Sequence, residues 1–257
     1  MELVKDELKI KIFDTRERMG RAAADDVAFC IKKLLAQKEC INMIFAAAPS
    51  QNDFFQEALI DDKTIEWEHI NAFHMDEYIG LESNALQGFG NFLKERIFDK
   101  VPFKSKFYIN GQSDNLQEEC ERYAGLLDSY PADIVCLGIG ENGHIAFNDP
   151  HVARFNDSER VKIVSLDNKC RMQQVHDGCF STLERVPMSA FTLTIPALIA
   201  AKYMFCIVPS KTKNIAVFNT INGPISESCP ASILRKKENA ILYLDSDSSE
   251  LLNKSVN

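Results

Sequence analysis

The sequence predicts an α/β fold: a single Rossmann-like domain with a largely parallel sheet flanked by helices. Three observations carry that expectation. Short apolar runs of strand length alternate with amphipathic stretches of helix length along the 257 residues, the order that builds βαβ units. Runs such as Ile41 to Ala48 and Asp133-Ile134-Val135-Cys136 are apolar with little alternation, as strands covered on both faces are. No repeat, low-complexity tract or linker divides the chain, so one domain is expected over 1–257, with about 246–257 a frayed polar tail.

The elements follow in order. Residues 8–14 (LKIKIFD) alternate apolar and polar, as an edge strand does. Asp14-Thr15 can cap a helix over Arg16 to Gln37, where Ala22, Val27, Ile31, Leu34 and Leu35 fall at helical spacing. Ile41 to Ala48 is a buried strand; Pro49-Ser50-Gln51-Asn52-Asp53 turns into a helix over Phe54 to Ile60. Trp67 to Met75 is the third strand, ending at the adjacent carboxylates of Asp76 and Glu77. A helix is expected over Asn84 to Phe98, a short strand over Lys106 to Ile109, a helix over Asn115 to Tyr130 and the central strand over Asp133 to Cys136. An edge strand (Val161 to Val164), a short helix (Asn168 to Gly178) and an apolar stretch around Pro196 come next. The strand Tyr203 to Val208 leads to a helix reaching Asn219, with Lys213 in its first turn. A helix from Pro230 to Leu234 and a strand from Ile241 to Leu244 close the pattern.

Composition narrows the function. Hydrophobic residues are 46% and charged residues 26%, an ordinary soluble balance. Net charge is -8 with no basic block, so nucleic acid is not an expected partner. The eight cysteines form no C-x-x-C pair and no Cys/His group at zinc-site spacing, so reduced thiols in a cytoplasmic protein are expected, with no metal and no cofactor. The first residues lack a signal-peptide core, and no apolar run is long enough for a membrane span. There is neither a G-x-G-x-x-G nor a Walker A sequence to hold a nucleotide. Assembly into a homo-oligomer is compatible with the sequence.

The chain is organised around Leu137-Gly138-Ile139-Gly140-Glu141-Asn142-Gly143-His144-Ile145-Ala146-Phe147-Asn148-Asp149-Pro150. Its glycines let the backbone turn sharply at the carboxyl end of a strand, where ligands of open α/β sheets bind. An imidazole there, beside Asn142 and Asp149, can move protons in a small polar site, although a lone His is as often structural. Ser50 and Asn52 suit either an anion seat or plain helix capping. Lys213 at the positive end of a helix is unfavourable unless an anion binds near it or water solvates it.

Two segments in register resemble the glucosamine-6-phosphate deaminase (isomerase) family. Met75-Asp76-Glu77-Tyr78-Ile79-Gly80-Leu81 is similar to its M-D-E-Y-x-G-L, and Gly143-His144-Ile145-Ala146-Phe147-Asn148 to its G-H-I-A-F-N, within a likeness running from about residue 10 to 245. The resemblance implies isomerisation of a hexosamine 6-phosphate to the ketose phosphate with release of ammonia, without metal or cofactor. It assigns Asp76 as the base acting at carbon, His144 as the ring-opening group, Asp149 and Asn142 as its supports, and Lys213 as a phosphate ligand. Asp76 needs burial or neighbouring Glu77 to raise its pKa for this task. The family's Gly-Gly-Thr phosphate loop is here Ala48-Pro49-Ser50-Gln51, so Ser50 and Gln51 are candidate replacements; Arg171 is the candidate second phosphate cation, with Gln174 nearby. The family's D-G-H and N-E-P become Asn142-Gly143-His144 and Asn148-Asp149-Pro150. Asn142 is expected to hydrogen-bond the imidazole without stabilising its charge. Arg160 and Lys162 resemble a basic pair used for allosteric control in some members, but the rest of that effector site is not evident. Two alternatives stay open: a 6-phosphogluconolactonase-type lactone hydrolase, and a sugar-phosphate sensor without turnover.

Overall fold

The computed structural model describes residues 1–51 and 55–253. Its central strands are β3 (Ile41–Phe45), β7 (Ile134–Leu137) and β10 (Tyr203–Val208), covered on both faces. Side chains of a strand alternate between faces, and here the alternation sorts them into two cores. Met43, Phe45, Ile134, Cys136, Phe205 and Ile207 join one, with the helix Arg16–Leu35. Ile44, Val135, Leu137, Met204 and Cys206 join the other, with the helices Leu116–Ser129 and Asn214–Asn222. This is why those runs carry no polar side.

Around them lie β4 (Ile70–His74) and β6 (Ser105–Phe107) on one side, and β11 (Ala240–Leu244), β2 (Leu8–Ile12) and β1 (Glu2–Lys5) on the other. The order is β1-β2-β11-β10-β7-β3-β4-β6, and every adjacent pair is parallel except the β1–β2 hairpin. From β3 the chain builds outward to β4 and β6, then returns to place β7 on the opposite side of β3. The crevice at that switch point, at the carboxyl ends of β3 and β7, is where such sheets bind ligands. It is bordered here by Ala46 to Ser50 and by Gly138 to Gly140.

A second sheet of three antiparallel strands has the order β5-β9-β8, with β5 at Asp76–Tyr78, β8 at Val161–Ser165 and β9 at Ser189–Leu193. It stands at the mouth of the crevice because β4 ends at His74 and the chain re-pairs two residues later.

Several expectations need correction. The strand over 8–12 is not an edge, since β1 covers it. The strand expected over Trp67 to Met75 is confined to Ile70–His74, after a 3₁₀ turn at Trp67–His69, and Asp76 and Glu77 beyond it lie in a further strand. Helical structure expected from Asn84 starts only at Phe89. The reason is local: the Glu77 carboxylate accepts the N–H groups of Phe89 and Gly90 at 2.9 and 2.7 Å, which pins a helix N-terminus there. Lys213 ends a short 3₁₀ turn, Lys211–Lys213, just before the helix proper. The tail over 246–252 is not frayed: Ser248 and Ser249 are fully buried on Asp245, and a helix follows at Glu250–Asn253. Phe54, expected to open a helix, and the last four residues lie outside the described part. Among the described residues no helix is long and apolar enough to cross a membrane, and all eight cysteines are free.

Candidate active site

The glycine loop after β7 is shaped by its own backbone and by His144. Gly140 N–H donates to the His144 carbonyl, and Gly143 N–H to the Gly140 carbonyl, each at 2.9 Å. Gly143 has φ +85°, and Ala146 is left-handed at φ +47°, a conformation that costs a non-glycine residue about 1 kcal/mol or more. Gly140 is required for another reason. A Cβ there would lie 2.2–2.4 Å from the His144 ring, so only glycine lets the imidazole lie flat on the loop.

His144 is 8% exposed, and its Nδ1 stands 3.0 Å from Asp149 Oδ1 in a poorly aligned contact. Asp149 is fully buried and oriented by two donors, Asn142 Nδ2 at 2.9 Å and the Asp167 N–H at 3.0 Å. Burial alone pushes its carboxyl up, but the His144 contact, the Asn142 amide and the Asp167 N–H outweigh it and hold Asp149 below the usual carboxylate range. Asn142 does not reach the imidazole, contrary to expectation. Its amide bridges Asp149 and Asp167, while its Oδ1 accepts the His144 N–H at 3.1 Å. Two N–H donors facing two carboxylates explain an amide at this place, where a third carboxylate would face like charges. Asn148, fully buried, donates to the Ile145 and Leu193 carbonyls and closes the turn.

Asp76 lies across the crevice. It is 6% exposed, and among the described residues no donor reaches its carboxylate. Burial, and then the neighbouring Glu77 charge, raise its pKa well above the usual value. Glu77 points the other way, into the backbone N–H groups of Tyr78, Phe89 and Gly90. His74, fully buried, has its pKa pushed down to about 3 by burial and by the Arg122 charge; it accepts the Ile109 N–H at 2.6 Å as a neutral ring. The Asp76 and His144 elements are joined by rings: Tyr78 packs on Phe147 at 5.2 Å, and Phe89 stacks on Phe147 at 5.3 Å. Such contacts add about 0.5–1.5 kcal/mol each beyond burial.

Asp76 and His144 border one cavity of about 150 Å³. Its far end is polar, with Ser50, Thr212, Lys213, Gln173 and Gln174. Lys213 is 7% exposed and forms no ion pair among the described residues. Burial lowers its pKa against the opposing pull of Asp177 and Glu141. Two expected phosphate ligands are elsewhere. Gln51, 1% exposed, does not border the cavity; its amide ties the Leu137 and Ile207 carbonyls, joining the ends of β7 and β10. Arg171 turns away to the carbonyls of Leu183 and Val186 at 2.7 and 3.0 Å. The second cation at the cavity is Arg16, which also donates to the Pro49 carbonyl at 3.2 Å. Sequence reading missed it because it comes from the start of the first helix, and its local signal is only a capping pattern. Arg160 and Lys162 pair with Asp128 and Asp157.

A family model, described as glucosamine-6-phosphate isomerases/6-phosphogluconolactonase, matches residues 14–243. The chain belongs to this family. Within it, the chain is 30% identical over 249 residues to a glucosamine-6-phosphate deaminase of Bacillus cytotoxicus, covering 97% of this chain and 91% of that one. A solved monomeric glucosamine-6-phosphate deaminase superposes with a TM-score of 0.84 at 29% identity, covering 94% of this chain and 99% of the other. The 6-phosphogluconolactonase of Thermotoga maritima shares the fold, with a TM-score of 0.73 at 21% identity over 92% and 98% of the two chains.

Proposed function

We propose that this chain is an isomerase–deaminase converting glucosamine 6-phosphate, or a related hexosamine 6-phosphate, to the ketose 6-phosphate and ammonia. One observation carries the reading: a buried carboxylate that no donor among the described residues reaches, Asp76, shares a sugar-sized cavity with His144, whose imidazole is the only one at its wall among the described residues. The chemistry needs both. His144 moves a proton to the ring oxygen and opens the sugar, with Asp149 Oδ1 3.0 Å from its Nδ1. Asp76 takes the proton from C2 of the open aldose, giving an enol-amine, and returns it to C1. The resulting imine at C2 adds water and loses ammonia. The raised pKa of Asp76 brings its affinity for a proton closer to that of a carbon acid, which a solvated carboxylate lacks. Lys213, with Arg16 and Ser50, takes the phosphate at the far end.

A lactone hydrolase needs an activated water but no base placed at carbon, so Asp76, which no donor among the described residues reaches, favours deamination. Eight free thiols suit a reducing cytoplasm. The test is an assay of the purified protein on paired gluco and galacto hexosamine 6-phosphates, following ammonia and ketose phosphate together. Both products should appear in equal amounts from at least one sugar. Lactone hydrolysis with no ammonia from either would overturn the reading, as would tight binding of both without turnover.

A further inference from the structure

Behind the imidazole the fold assembles a donor set that the spacing of residues does not reveal. His144 Nδ1, an Asp149 carboxylate oxygen and Cys170 Sγ all lie within 4.8 Å of one another. All three residues are buried, Cys170 to 1% exposure. An imidazole nitrogen, a carboxylate and a thiol suit a borderline-soft, four-coordinate cation. They do not suit magnesium or calcium, which take six or more oxygens.

The three donors are also held in place as metal ligands are. Asp149 is oriented by the Asn142 amide and the Asp167 N–H. Cys170 is anchored by its own N–H, donated to Asp167 Oδ1 at 2.6 Å in the first turn of the helix Asn168–His176. Gly140, having no Cβ, makes room for the His144 ring in its observed position. Such outer contacts fix ligand geometry in known metal sites. A second observation points the same way: His144 Nδ1 is buried without a well-aligned hydrogen-bond partner.

We propose that His144, Asp149 and Cys170 bind a zinc-like divalent cation, and that the bound ion inhibits the enzyme. The ion forms bonds to Sγ, to Nδ1 and to a carboxylate oxygen. The thiol proton, and a proton on Nδ1 where one is present, leave to water, and no oxidation state changes. With Nδ1 bonded to the ion, the ring cannot become an imidazolium and cannot deliver the ring-opening proton. The inhibitory consequence rests on His144 acting as proposed above; binding does not.

The experiment uses the full chain freed of metal with a chelator and titrated with zinc, cadmium or magnesium. Cadmium reports thiolate ligation through its charge-transfer absorption, whether or not the protein turns over substrate. The wild type should show that absorption, and zinc but not magnesium should abolish deamination reversibly. Cys170→Ser keeps a hydroxyl toward Asp149, and Cys170→Ala serves as a second variant should the hydroxyl disturb folding. Either should lose the absorption difference and need about 10–100-fold more zinc for the same inhibition. Unchanged zinc sensitivity in both variants would overturn the site. Cadmium–thiolate absorption that depends on Cys170, with full activity retained, would overturn the inhibitory role. A chain without deaminase activity on any hexosamine phosphate would overturn the functional reading and leave the absorption test standing.

Discussion

The two ends of the cavity are built on opposite terms. At the imidazole end, Asn142, Asp149, Asp167 and the His144 backbone form a closed set of hydrogen bonds. That geometry is set before any substrate arrives, as proton transfer demands. At the other end Lys213 forms no ion pair among the described residues, and Arg16 borders the same space. Pro49 has no N–H to offer an anion, and Ala48-Pro49-Ser50 replaces a glycine loop whose backbone N–H groups would do so. The lesson is that at the imidazole end the partners come from the protein itself, so that Asn142 and Asp149, the two departures from the family pattern, are accommodated by bonding to each other. An anion seat can be rebuilt from side chains of other elements, since its partner is the ligand.

Breaking the closed end should have the largest effect. His144→Gln keeps a polar side chain but no titratable ring and should lower kcat about 10²–10⁴-fold, measured as ammonia release at saturating substrate. Removing charge from the open end should act on binding. Lys213→Ala is expected to raise KM about 10–100-fold, since a hydrogen bond to a charged group is worth about 1.5–3 kcal/mol; a pyranose lacking phosphate should show no such change. Arg171→Ala sharpens the contrast. Its guanidinium serves the Leu183 and Val186 carbonyls, so KM should hold while Tm falls, by about 2–4 °C for each kcal/mol lost. A raised KM there would return Arg171 to the phosphate site.

The smallest effects are in stability, and they separate the two carboxylates by sign. Asp76 has a raised folded-state pKa, so its stability contribution is complete below the unfolded value and is lost as pH rises through the folded one. Asp76→Asn should therefore gain Tm over the wild type with rising pH. Asp149 has a depressed pKa, so its contribution is present above the unfolded value and is lost as pH falls through the folded one. Asp149→Asn should lose Tm at neutral pH, with the loss fading in strong acid. Thermal melts across pH check both.

What could be read from the chain follows the same division. The strands of the central sheet were legible because burial on both faces leaves a run of apolar residues, as in Ile134 to Leu137. The His144 loop was legible because glycine spacing and titratable groups lie within one short segment. The three-stranded sheet was not, since Asp76-Glu77-Tyr78 looks like a polar turn until β9 pairs with it. Gln51 and Arg171 were misplaced because sequence position says nothing of where a long side chain points. Arg16 and Cys170 join the site through the packing of distant elements, which local patterns do not encode.

The account stands or falls on Asp76 as the base at carbon. In D₂O the wild type should release ammonia and leave deuterium at C1 of the ketose phosphate, visible by NMR. Asp76→Asn should still bind the hexosamine 6-phosphate while giving neither ammonia nor deuterium incorporation. Ammonia release by that variant at the wild-type rate would contradict the central claim.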